Sequence, residues 1–180
     1  MSVDNDEHLY RLPHLCAGGK ISRGTLLGWI KREDNIIFAD LDQKETSGRG
    51  GAIIFSRRQA IQTGLVAEGQ RLGLPVALAA KVAAGFAYVG RSEIGPLPGF
   101  VPGELLKGGR RTYLVHFEGA ETASVLAGLS DLELAAAAGE QGVSAFNAFH
   151  VINVNAVVQR MDEALEANVG PHSHDVGGVA

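Results

Sequence analysis

Apolar and polar residues alternate along this chain in short blocks. Residues 25–30 and 36–41 are apolar, β-compatible runs separated by the five polar residues 31–35, a pattern that predicts an N-terminal β-hairpin. Residues 52–55 predict a short buried strand. Ser56 and Gln59 then stand at capping-box spacing, in which each side chain bonds the other's backbone amide. Ile61, Leu65 and Leu72 recur at helical intervals, and Gly73 with Pro75 supplies a stop. Gly64 and Gly69 each oppose this helix by about 1 kcal/mol relative to Ala, so packing must sustain it. Residues 76–89 form an Ala/Val run with no decisive period, compatible with a buried helix or a strand.

Further on, residues 113–117 predict a strand, and residues 120–138 are helix-prone with a second capping box at Ser130 and Glu133. Residues 148–154 alternate and are rich in β-branched side chains, which predicts another strand. Over residues 155–168, Val157, Val158, Met161 and Leu165 line one helical face. The expected fold is mixed α+β: an N-terminal β-hairpin plus helix and a C-terminal β-α-β-α unit. Its expected organisation is an irregular arm over 1–20, one compact domain over 21–169 with a Pro/Gly-rich crossover at 95–109, and a flexible tail over 170–180.

At 180 residues, a single core is large enough to be stable. That core must use small side chains, because aromatics are 6% of a chain that is 46% hydrophobic; the 24 glycines fit close backbone approach. One cysteine, Cys16, excludes an intrachain disulfide framework and a Cys-based zinc cage. The apolar stretch 74–89 is interrupted by Pro75, Lys81 and Gly85 and is shorter than the roughly 20 residues of a spanning helix. With no apolar signal core at the acidic N-terminus, the expected location is cytoplasmic, or outside the cell by release without a signal peptide.

Charge is divided unevenly. Fifteen of the 16 Lys and Arg residues lie in the first 111 positions, which carry a net +4, whereas the last 69 carry −8. Opposed charge of this kind steers association and fixes register. It predicts a self-associating structural or interaction subunit, the basic portion of one copy meeting the acidic portion of another. Interspersed acids and few aromatics argue against nucleic acid as the partner.

The candidate chemistry is scattered. Gly48, Arg49, Gly50 and Gly51 form a glycine-rich loop, with Arg57 and Arg58 at the next helix start, so that backbone amides and forked guanidinium donors could hold a phosphate or carboxylate. This supports the alternative expectation of a small α/β enzyme or ligand-binding domain with an anionic ligand. Lys107, Arg110 and Arg111 could extend that basic surface. His116 and His150 fall in two predicted strands and could meet as proton carriers. His172, His174 and Asp175 are the compact metal-capable set, and Asp40 and Asp42 would share a strand face. No cofactor fingerprint, P-loop or nucleophile elbow is present, so no cofactor is expected.

Overall fold

A computed structural model describes residues 8–31, 36–37, 53–144 and 148–167. The chain begins with β1 (His8–Arg11), α1 (Leu12–Gly19) and α2 (Arg23–Lys31). After β2 (Ile54–Ser56) come α3 (Arg57–Arg71) and α4 (Val76–Tyr88). The remainder is β3 (Tyr113–Phe117), β4 (Ser124–Leu126), α5 (Asp131–Glu140), β5 (Phe149–Asn153) and α6 (Val154–Ala167). The fold is mixed α+β, with two small antiparallel sheets in the orders β1-β2 and β4-β3-β5.

Helix α3 is the hub. Its start is set by the reciprocal bonds of the expected capping box: Gln59 N–H donates to Ser56 Oγ (3.2 Å) and Ser56 N–H to Gln59 Oε1 (2.7 Å). Residues from Gln59 to Ala67 are all buried, because α1, α4 and α6 pack around it. Glycine makes this closeness attainable. A Cβ on Gly64 would lie 2.6 Å from Val157 Cγ1 of α6, and one on Gly18 of α1 would lie 3.0 Å from the Met161 backbone. Helix α6 answers with Val154, Val157, Val158, Met161 and Ala164, all buried on one face.

The three-stranded sheet divides two cores by the two-residue alternation of its side chains. Leu114, Val125 and Ile152 join the helical core, whereas Val115, Phe117, Leu126 and Val151 pack with Ala137 and Ala138 of α5. Gln141, just past α5, fastens the second layer by donating to Val115 O (2.9 Å) and accepting from Phe117 N–H (3.1 Å).

Several elements differ from the expectation. Residues 25–30 are helical, within α2; the N-terminal strand pair is instead β1 with β2, in the register Tyr10↔Phe55 and Arg11↔Ile54. The segment expected as an irregular arm therefore holds a strand and a helix over residues 8–19. Of the run 36–41, Ile36 and Ile37 are buried, and the rest lies outside the described residues. Residues 76–88 are helical, which the buried face Ala79, Val82, Ala83 and Phe86 explains. Within 120–138, residues 124–126 form β4 and the helix starts at its cap, Ser130.

Candidate functional site

The most site-like arrangement at the surface is the pair α1 and α2, joined by the three residues Lys20, Ile21 and Ser22. Pro13 stands in the first turn of α1, where no N–H is needed, and His14 Nδ1 accepts from Arg11 N–H (3.2 Å). Lys20 ends α1 in the left-handed conformation (φ 52°), which turns the chain back while its amide still bonds Ala17 O and Cys16 O. Ser22 then starts α2 by accepting from Thr25 N–H (3.0 Å). Arg71 of α3 donates to Gly19 O (3.0 Å), pinning the end of α1 immediately before the turn.

Burial decides which faces are used. Leu15 of α1 and Leu26 and Trp29 of α2 are buried, whereas Arg23, Gly24, Thr25, Gly28 and Lys31 of α2 are exposed, as are Arg11 and Lys20. From His8 to Lys31 the chain holds four Lys and Arg residues and no Asp or Glu. An added Cβ on Gly28 would meet nothing within 4 Å, so the outer side of α2 is open backbone between cations.

Elsewhere part of the expected opposition of charge is met inside the chain. Arg57 pairs with Asp162 (3.0 Å), Lys81 with Glu121 (2.6 Å) and Arg91 with Glu140 (2.5 Å), each joining the basic portion to the acidic one. Arg57 is thereby committed: it shares Asp162 with the phenol of fully buried Tyr10, which donates to Oδ1 (2.7 Å). Burial, then the Asp162 carboxylate, raises the Tyr10 pKa, against the opposing effect of Arg57. Arg58 lies near Tyr88, whose phenol is pushed up to about 12 by burial despite that cation. Glu68 receives both Arg71 (2.6 Å) and Arg160 (2.7 Å); burial would raise its pKa, but the two guanidinium groups outweigh it and hold the carboxyl below its ordinary value.

Gly48, Arg49, Gly50 and Gly51 lie outside the described residues, as do Asp40, Asp42, His172, His174 and Asp175. Arg57 lines a cleft with Asp162, Glu163 and Glu166, whereas Lys107 and Arg110 line another with Glu93, Glu104 and Glu133. His116 and His150 do meet. They are directly opposed on β3 and β5, with ring centroids 5.7 Å apart.

A groove of about 750 Å³ runs between α4 and the β3–β4 strands, floored by Phe86, Phe100, Leu114 and Val125. Arg91 closes one end. Its guanidinium donates to Glu140, Pro98 O and Val125 O and lies 5.7 Å from the Phe100 ring centroid. Ser124 Oγ also donates to Glu140.

Both the helix pair and the Arg91 hub escape a reading of periodicity. The signal for the first was available: a 24-residue window, 8–31, free of acids, with Ser22 three residues before Thr25. Arg91 had none, since its partners are up to 49 residues away. No family model matches the chain, and no curated protein matches it in sequence.

Proposed function

We propose that this protein binds double-stranded DNA through residues 8–31, with α2 presented to the major groove as the reading element of a helix–turn–helix. The observation that carries the reading is the pairing of two short helices across a three-residue turn, with an outer face of cations and small residues. Gly24 and Gly28 let the α2 backbone come close to base edges. Arg23, at the start of the helix, has the forked donors that fit guanine O6 and N7, and Lys20 and Lys31 suit phosphates. The acids interspersed through residues 1–111 and the few aromatics are the argument against nucleic acid, but screening limits exposed charges to roughly 8–10 Å, so local composition governs. Distant acids are in any case partly neutralised by Arg57, Lys81 and Arg91.

Fluorescence anisotropy with mixed-sequence duplex across a salt series tests this. Binding should weaken steeply with salt, and Lys31→Ala should reduce the log–log slope by about 1. Arg23→Ala should flatten preference among duplexes selected from a random pool. Absence of binding at low salt, or variants indistinguishable from wild type, refutes the proposal.

Self-association remains a second reading, in altered form. The intramolecular ion pairs take up part of the charge opposition that supported it, but exposed Val89, Ile94, Leu129 and Leu132 offer apolar contact area to a second copy. The two readings agree, since helix–turn–helix proteins commonly bind paired half-sites as dimers. A mass in solution that is dimeric and insensitive to salt supports this form; a monomer at all ionic strengths removes it. The anion-site alternative has less support, because Arg57 is already engaged by Asp162.

A further inference from the structure

We propose that His116 and His150 form a two-histidine site for a divalent transition-metal ion, Zn²⁺ or Cu²⁺. The two residues are register partners on β3 and β5, so both side chains leave the same face of the sheet, with ring planes tilted by 39°. His116 Nε2 lies 2.9 Å from Ala120 O. A carbonyl only accepts, so Nε2 carries the hydrogen, and in the neutral ring the lone pair sits on Nδ1. That Nδ1 is buried, in a residue only 4% exposed, and has no hydrogen-bond partner among the described residues; Nδ1 of His150 is in the same position.

Two unpaired imidazole nitrogens on adjacent strands call for a shared third party. A backbone carbonyl that fixes the tautomer from the far side of the ring is the support a metal-bound histidine usually has. Imidazole nitrogen suits Zn²⁺ and Cu²⁺ among the common ions. Among the described residues no group of three or more His, Cys, Asp or Glu is gathered, so these residues supply two ligands. Half-buried His150 gives solvent water access to the remaining positions. The site is independent of the DNA-binding reading.

The test is titration of the full chain with Zn²⁺, followed by calorimetry and by long-range ¹H–¹⁵N spectra of the imidazoles. His172→Ala/His174→Ala serves as a background that removes the tail histidines. One ion per chain should bind in both backgrounds, His150→Gln should weaken it by about tenfold or more, and both Nδ1 resonances should shift. If Zn²⁺ leaves them unmoved, a bridging water fills the gap and the proposal fails. It fails equally if His116 carries its hydrogen on Nδ1, or if His150→Gln binds as well as wild type. Should His150→Gln not fold, the spectra of the unsubstituted chain decide.

Discussion

Gly64→Ala should destabilise the protein although it improves the local helix. In isolation the change gains about 1 kcal/mol of helix propensity. The new Cβ, however, would lie 2.6 Å from Val157 Cγ1 and 3.2 Å from Met161 Sδ. Val157 is 1% exposed, and a β-branched side chain in a helix has one strongly preferred rotamer, so it cannot swing aside. Either α3 and α6 separate or the rotamer is lost, which costs about 1–3 kcal/mol in a tight core. The overlap places the cost towards the upper part of that range, for a net loss of about 1–2 kcal/mol. Val157→Ala removes Cγ1 and leaves only the flexible Met161 thioether near the new methyl. In that background Gly64→Ala should be neutral or stabilising by up to about 1 kcal/mol, a change of sign that measures the coupling directly. Gly85→Ala on α4, where an added Cβ meets nothing within 4 Å, should simply stabilise by up to about 1 kcal/mol. Urea midpoints at unchanged m-value read all four proteins. If Gly64→Ala is stabilising alone, or its effect is the same with and without the Val157 methyls, the close approach of α3 and α6 is not what Gly64 serves.

Gly18→Ala should weaken DNA binding without changing its salt slope, because the new Cβ meets the backbone at Met161 Cα (3.0 Å) and Arg160 O (3.1 Å) and shifts α1 while removing no cation; a lower slope in anisotropy would contradict this. Arg91→Lys should cost about 1.5–3 kcal/mol in thermal or urea unfolding, since one ammonium cannot span Glu140, Pro98 O and Val125 O; a wild-type unfolding midpoint would remove Arg91 as a hub. Tyr10→Phe should cost about 1 kcal/mol and Asp162→Ala more, because only the second takes a partner from both the phenol and Arg57; reversed order in urea would refute the network. Acid should weaken the fold in two stages. Burial and then Arg11 lower the His14 pKa from 6.5, so as pH falls below that value the unfolded chain binds the proton more readily and stability drops. Glu68, held below 4.5, adds a second loss as pH falls below 4.5. The first stage should vanish from urea midpoints in His14→Gln; an unchanged profile would show that His14 is not its source.

The parts of the fold legible in sequence are those whose cause is local. Ser56 with Gln59 and Ser130 with Glu133 are complete hydrogen-bonded devices within four residues, and α3 and α5 start where they stand. The single-faced stripe of α6 needs no partner to be recognised. Residues 25–30 mislead because Thr, Leu, Trp and Ile suit a pleated strand as well as a helix; Ser22 and the left-handed Lys20 decide between them, and the conformation of Lys20 is not written in its residue type. Arg57 shows the same limit at a site. Two arginines beside a helix start look like an anion cradle, yet Asp162, 105 residues on, occupies one of them. His116 and His150 were identifiable as strand residues, but their register is a property of the sheet.

The uneven distribution of charge illustrates how scale decides meaning. Summed over 111 residues, 15 cations are nearly cancelled by 11 acids, and nothing points to a polyanion. Folding removes that average as the relevant quantity. Arg57 and Arg91 turn towards C-terminal acids in half-buried pairs, Lys81 does so at the surface, and Arg71 meets Arg160 of α6 on Glu68, so these cations are engaged within the chain. The charged residues exposed between Tyr10 and Lys31 are all cations, and they sit on a pair of helices whose orientation is fixed from beneath. Gly18 brings α1 against α6, Arg71 holds the last carbonyl of α1, and Leu26 and Trp29 anchor α2. On the proposed reading, α2 gains from such a base because the ordering that binding demands has already been met in folding. The same small residues that make the core shallow in hydrophobic area make this mounting close, and that closeness gives α2 a defined face to present.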